Sequence, residues 1–134
     1  MKLEHVAIWT NQLEALKDFY VRYFQGIPND KYVSDAEFTG HFESYFLSFD
    51  SGSRLELMSL TGIPQGDNIN GFESTGLTHI AFSVDKPDEL DQLFARLKEG
   101  GCPIVGAPHM TGDGYYEACV LDPDGNRVEI TVTP

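Results

Sequence analysis

Two consecutive β-α-β-β-β units, together an α+β fold, are what this sequence predicts, on three observations. Asp122-Pro-Asp-Gly125 is a tight-turn signal followed by an alternating strand, Arg127-Val-Glu-Ile-Thr-Val132. Pro123 fixes φ at a turn position, and Gly125 tolerates the positive φ that closing a hairpin demands. Phe49-Asp-Ser-Gly-Ser-Arg-Leu-Glu-Leu57 states nearly the same pattern 73 residues earlier, placing Arg54 on Arg127 and Glu56 on Glu129. Leu3-Glu-His-Val-Ala-Ile8 matches Leu77-Thr-His-Ile-Ala-Phe82 at an offset of 74, placing His5 on His79. Self-similarity at a nearly fixed offset marks a duplicated unit.

The elements follow in order. Residues 3–10 alternate as a strand, with Val6 and Ile8 on one face and His5, Ala7 and Trp9 on the other. Asn11 is then in place to cap a helix with Glu14 three residues on, and Leu13, Leu16, Phe19, Tyr20, Tyr23 and Phe24 recur at helical spacing until Gly26 and Pro28 stop it. Residues 29–43 are mixed and hold at least one strand and His41, which has no counterpart in the second half and reads as a loop or surface histidine. Ser44–Phe49 is a strand, Ser51-Gly52-Ser53 a turn, and the Glu56 strand runs to about Met58. Residues 59–76 carry the glycines, proline and asparagines of a linker.

The second half repeats the plan. A strand over 77–84 carries His79. Asp85 is in place to cap a helix with Pro87 in its first turn; Leu90, Leu93, Phe94 and Leu97 form its apolar stripe, and Gly100, Gly101 and Pro103 end it. Ile104-Val105 start a strand, Thr111–Tyr116 is a glycine-rich turn, and two strands close the unit. Residues 1–134 thus form one domain, with a first module at 3–58, a linker at 59–76 and a second module at 77–132.

Composition narrows the partners. Nine Lys and Arg against 21 Asp and Glu leave a net charge of −12. Nucleic acid and anionic membrane surfaces both call for clustered cations, so neither is expected as a partner. The N-terminal Met1-Lys-Leu-Glu-His-Val has charge where a signal peptide needs an apolar run, which points to the cytoplasm. Cys102 and Cys119 lack metal-type spacing and read as ordinary thiols.

The chemistry rests on His5, Glu56, His79 and Glu129. Two imidazoles and two carboxylates, each on a strand and each from a matching place in a repeat, make an N₂O₂ donor set for one divalent metal: Ni, Zn, Co, Mn or Fe. The separations agree, 51 residues from His5 to Glu56 and 50 from His79 to Glu129.

Leu3-Glu-His-Val-Ala-Ile8, Leu77-Thr-His-Ile-Ala-Phe-Ser-Val-Asp85 and Asp122-Pro-Asp-Gly-Asn-Arg-Val-Glu-Ile130 make the chain, over about residues 3–132, resemble the vicinal oxygen chelate superfamily, also called the glyoxalase/bleomycin-resistance/dioxygenase superfamily. The resemblance implies paired βαβββ modules curled into a cupped, incomplete mixed β-barrel around a metal. Ligands come from the first and last strand of each module, which are His5, Glu56, His79 and Glu129. A full His/Glu/His/Glu set is most similar to glyoxalase I, lactoylglutathione lyase. That implies isomerisation of a small-molecule substrate, a 2-oxoaldehyde–thiol hemithioacetal, through a metal-bound enediolate, with Glu129 as the mobile base and Glu56 as its competitor. A homodimer is implied as well.

The resemblance departs at Trp9 and Thr111, which stand where the bacterial type carries an arginine and a lysine that hold the carboxylates of glutathione. Trp9, Thr111, Tyr115 and Tyr116 are the candidate substrate contacts. The same resemblance admits other metal-dependent members (an epimerase, a thiol transferase or a dioxygenase) and, from a different class, a non-catalytic drug-binding resistance module. Retention of all four ligand residues speaks against the last.

Overall fold

The computed structural model describes residues 1–35, 40–66 and 75–132. Parts of the mixed stretch 29–43 and of the expected linker lie outside them. The chain divides into two compact units, Met1–Asp67 and Asn68–Pro134. The first holds β1 (His5–Trp9), α1 (Leu13–Phe24), β2 (Ile27–Pro28), β3 (Tyr32–Ser34), β4 (Phe42–Ser48) and β5 (Arg54–Leu60). The second holds β6 (His79–Ser83), α2 (Pro87–Glu99), β7 (Ile104–Met110), β8 (Tyr116–Leu121) and β9 (Arg127–Val132). The observed α+β architecture is the expected pair of modules.

Each unit is one mixed sheet backed by one helix, and neither sheet closes on itself. In the first the order is β1-β5-β4-β2, with β3 also on β4; in the second it is β6-β9-β8-β7. The first strand of each unit lies parallel to the last, as a helical crossover requires. The registers coincide: His5 faces Arg54 and Ala7 faces Glu56, just as His79 faces Arg127 and Ala81 faces Glu129.

The alternation read from the sequence is what builds the cores. Leu47, Leu55 and Leu57 in the first sheet, and Ala118, Val120, Val128 and Ile130 in the second, are fully or almost fully buried. α1 buries Leu13, Leu16, Phe19, Tyr20 and Phe24, and α2 buries Leu90 and Leu97. The opposite faces stay open: β1 and β6 share one pattern in which His5, Ala7 and Trp9, or His79, Ala81 and Ser83, are exposed.

Both helix starts differ from expectation by one residue. α1 is capped at Gln12 rather than Asn11, because the Thr10 hydroxyl accepts the Gln12 N–H at 2.9 Å while the Asn11 amide turns to the Ile63 carbonyl and the Gln65 side chain. α2 is capped at Lys86 rather than Asp85, and Glu89 reaches back to accept the Asp85 N–H at 3.1 Å.

The second strand of the first module is broken into β2 and β3. At the break the Asn29 side-chain oxygen accepts the Phe46 N–H at 2.7 Å, and the Asn29 N–H donates to the Phe46 carbonyl at 3.0 Å. A side chain thus replaces a ladder carbonyl where the strand departs. The counterpart β7 stays whole but slips register twice between Ile104 and His109. Pro108, which has no N–H, is tolerated there because β7 is an edge strand. Among the described residues, no helix is long and apolar enough to cross a membrane.

Candidate metal centre

Strand order and register bring the candidate ligands together two by two. In the first unit His5 Nε2 lies 3.5 Å from Glu56 Oε2, and in the second His79 Nε2 lies 3.5 Å from Glu129 Oε2. Each His sits two residues before the register partner of its Glu on the neighbouring parallel strand, so both side chains leave the sheet on the same open face. The carboxylates are the more sheltered members, with side chains 16% and 19% exposed against 38% and 42% for the imidazoles. Among the described residues, no group of three or more His, Cys, Asp or Glu is arranged to hold a metal, so the donors come as two pairs.

The geometry of each His–Glu pair fits two positions on a divalent ion. Two ligands with bonds of about 2.1 Å stand about 3.0 Å apart on adjacent octahedral positions and about 3.4 Å apart on tetrahedral ones. A separation of 3.5 Å between an imidazole nitrogen and a carboxylate oxygen needs little adjustment to reach either. The residues that would hold an ion are His5 with Glu56 in the first unit and His79 with Glu129 in the second.

The surroundings of the two pairs are not alike. In the first unit Glu4 bonds His5 Nδ1 with one carboxylate oxygen and Arg54 with the other. The His5 bond, against the opposing effect of desolvation and with help from Arg54, holds the Glu4 carboxyl below its ordinary range. Phe46 lies across from Glu56, with the His5 ring edge-on to it at 5.3 Å and the Arg54 guanidinium over it at 4.2 Å. In the second unit Cys119 lies across from Glu129. Burial, and then the Glu129 charge, push the Cys119 thiol up, so it stays protonated at neutral pH.

The other candidates fall in different places. Trp9 is 44% exposed on the ligand face of β1, edge-on to Phe42 at 6.1 Å. The Thr111 hydroxyl is engaged inside its own turn, donating to Asp113 Oδ1 at 2.6 Å and accepting the Tyr115 N–H at 2.9 Å. Tyr116 points to the helix side, where its hydroxyl donates to Asp91 of α2 at 2.8 Å. Two cations that could substitute for the arginine and lysine of the bacterial type, Arg54 and Lys31, are already paired, Arg54 with Glu4 and Lys31 with Glu14 and Glu43. His41 bonds Asp35 at 2.6 Å, which raises its pKa, and lies 3.5 Å from Glu43.

Two features escaped the reading of the chain. Glu4 lies just before β1, so strand alternation says nothing about where its side chain goes. His109 and Glu117, register partners on β7 and β8, add a further His–Glu pair at 3.9 Å on the ligand face of the second sheet, with His109 Nδ1 2.9 Å from the Ala107 carbonyl. Only the slipped register of β7 puts them opposite each other.

The pattern of the Glyoxalase/Bleomycin resistance protein/Dioxygenase superfamily matches residues 2–130. One relative, biphenyl-2,3-diol 1,2-dioxygenase 2 of Rhodococcus globerulus, is 30% identical over 135 residues, which cover 98% of this chain and 62% of that protein. The chain therefore spans less than two thirds of that relative. Among solved structures, a glyoxylase/bleomycin resistance protein/dioxygenase domain from Frankia sp. EAN1pec is similar with a TM-score of 0.81 at 18% identity, over 100% of this chain and 98% of that one. Lactoylglutathione lyase from Agrobacterium tumefaciens is similar with a TM-score of 0.68 at 21% identity, over 98% and 92%. These structural likenesses show the fold alone, whereas the family pattern matches nearly the whole length, and by that match the chain belongs to the glyoxalase/bleomycin resistance/dioxygenase superfamily.

Proposed function

We propose that the chain is a metal-dependent lyase/isomerase of the glyoxalase I kind, acting in the cytoplasm as a homodimer on the hemithioacetal of a 2-oxoaldehyde and a thiol. What carries this reading is one His–Glu pair built twice, with the same atoms at the same 3.5 Å separation in each unit. His5, Glu56, His79 and Glu129 together hold one ion of Ni, Zn, Co, Mn or Fe. When bound, the ion withdraws charge from two neighbouring substrate oxygens and so acidifies the adjacent C–H. Glu129 takes that proton from the carbon bearing sulfur and returns it to the neighbouring carbon. The first carbon is thereby oxidised to a thioester and the second reduced to an alcohol, with no outside redox partner. Glu56 is the matching candidate for the same step.

A second reading, a dioxygenase acting on a vicinal diol, is favoured by the 30% identity to the Rhodococcus globerulus protein. It is weakened by ligand count. Chelating a diol and binding dioxygen together need three open positions on a six-coordinate ion, and four protein donors leave two.

The test is metal stripping followed by reconstitution with Ni²⁺, Zn²⁺, Co²⁺, Mn²⁺ or Fe²⁺ separately, with thioester formation followed from methylglyoxal and a panel of thiols that includes glutathione. The expected result is metal-dependent turnover with at least one thiol, reduced about 10²–10⁴-fold in kcat by Glu129→Gln. Stoichiometric metal without turnover on any thiol rejects the lyase reading. Fe²⁺-dependent oxygen uptake with a catechol selects the dioxygenase.

A further inference from the structure

His5 is held by more than its strand. The Arg54 N–H donates to the Glu4 carbonyl at 2.9 Å, and Arg54 Nε donates to Glu4 Oε1 at 2.6 Å with the terminal guanidinium nitrogen paired to the same oxygen. The other oxygen, Glu4 Oε2, bonds His5 Nδ1. An ionised carboxylate can only accept, so the bonded Nδ1 carries the hydrogen. In a neutral ring Nε2 then carries the lone pair, and that is the atom 3.5 Å from Glu56 Oε2. The Phe46 ring, with His5 edge-on and Arg54 over its face, limits rotation of both partners.

The second unit differs at the matching places. Thr78 stands where Glu4 stands and Cys119 where Phe46 stands, and among the described residues the His79 ring pairs with Glu129 alone. A threonine hydroxyl offers no charged acceptor and no second oxygen to clamp an arginine.

We infer that Glu4, clamped by Arg54, is a positioning residue that sets His5 as the Nδ1–H tautomer and presents Nε2 beside Glu56 as a metal donor, so that the two halves of the centre are unequally preorganised. Carboxylates that hold the far nitrogen of a ligand imidazole fix its tautomer and raise its basicity. The inference rests on the metal reading above, and its test separates the two.

The imidazole nitrogens of the metal-free protein are observed by long-range ¹H–¹⁵N correlation at a pH where the rings are neutral, and metal affinity is measured by chelator competition. The wild type shows His5 as the Nδ1–H tautomer. Glu4→Ala converts His5 toward the Nε2–H form, leaves the His79 signals in place and weakens metal binding about 10–100-fold. Glu4→Gln, which keeps an acceptor oxygen, restores both readouts most of the way. A His5 tautomer that does not respond to Glu4→Ala overturns the inference whether or not metal binds. A tautomer switch in a protein that binds no metal upholds the control by Glu4 and rejects the metal reading instead.

Discussion

Asp122 shows how much one residue carries in this fold. It is 3% exposed, and one of its oxygens accepts the N–H groups of Asp124 and Asn126, each at 2.9 Å, while the other accepts the Asn126 amide at 2.9 Å. Its backbone N–H donates to the Asn126 carbonyl at 2.9 Å, and Gly125, at φ 81°, closes the turn on the Asp122 carbonyl. A buried carboxylate is tolerable because its lone pairs are filled by nearby donors. Asp122→Ala would strand two backbone donors at a penalty of about 1–3 kcal/mol each, so a total loss of about 2–6 kcal/mol is expected. Urea unfolding checks it: the midpoint should drop with little change in slope. The first unit makes the same turn without such a residue. There Phe49 occupies the matching place, and the Gly52 N–H donates to its carbonyl at 2.9 Å.

At the scale of the element, α1 is tied to its sheet by charge as well as by its apolar stripe. Glu14, in its first turn, receives Lys17 at 2.8 Å, Lys31 at 2.6 Å and the Tyr45 hydroxyl at 3.0 Å. Hydrogen bonds from Lys17 and then Lys31 pull the Glu14 carboxyl down to about 2, and both lysines are raised in return. The folded value lies below the unfolded one, so the group adds stability above the ordinary carboxylate range and that stability disappears as pH falls toward 2. Half of the Glu14 side chain is exposed, and solvent screening reduces the contribution at neutral pH to about 1 kcal/mol or less. Glu14→Gln is therefore expected to lower stability slightly at pH 7 and to flatten its decline in acid. Denaturant midpoints measured across pH would contradict this if both proteins declined in parallel.

At the scale of the whole molecule, the duplicated register is the feature with consequences. Two units of matching topology each carry one His–Glu pair, and the centre we propose would take both pairs for one ion. The expected stoichiometry is one tightly bound divalent ion per chain, and it should collapse equally in His5→Ala/Glu56→Ala and in His79→Ala/Glu129→Ala. Equilibrium dialysis with metal analysis decides this. Two weak ions per chain, each lost with only one of the double substitutions, would show that the pairs act separately. The −12 charge bears on the substrate too. With Arg54 and Lys31 already in ion pairs, a thiol with few carboxylates meets less repulsion than glutathione does.

The fold class and the ligand pairs are legible in the sequence because both depend on local rules. A strand alternates with a period of two whatever surrounds it, so His5 and Glu56, or His79 and Glu129, fall on exposed faces once the repeat is seen. The helices announce themselves by apolar spacing. Their starting residues do not, since Asn11 gives up its capping place to bond Ile63 and Gln65, residues more than fifty positions away. Nor does the broken second strand, where the Asn29 side chain takes over a ladder bond on Phe46. The duplicated α+β plan, most of the apolar stripes and the four candidate ligands can thus be read along the chain. That each His meets its Glu at 3.5 Å, that Tyr116 serves the helix side, and that Glu4 and Arg54 support His5 where the second unit has Thr78 emerges from the folded arrangement. The first set follows from backbone periodicity along the chain, the second from which side chains the sheet register brings within bonding distance across it.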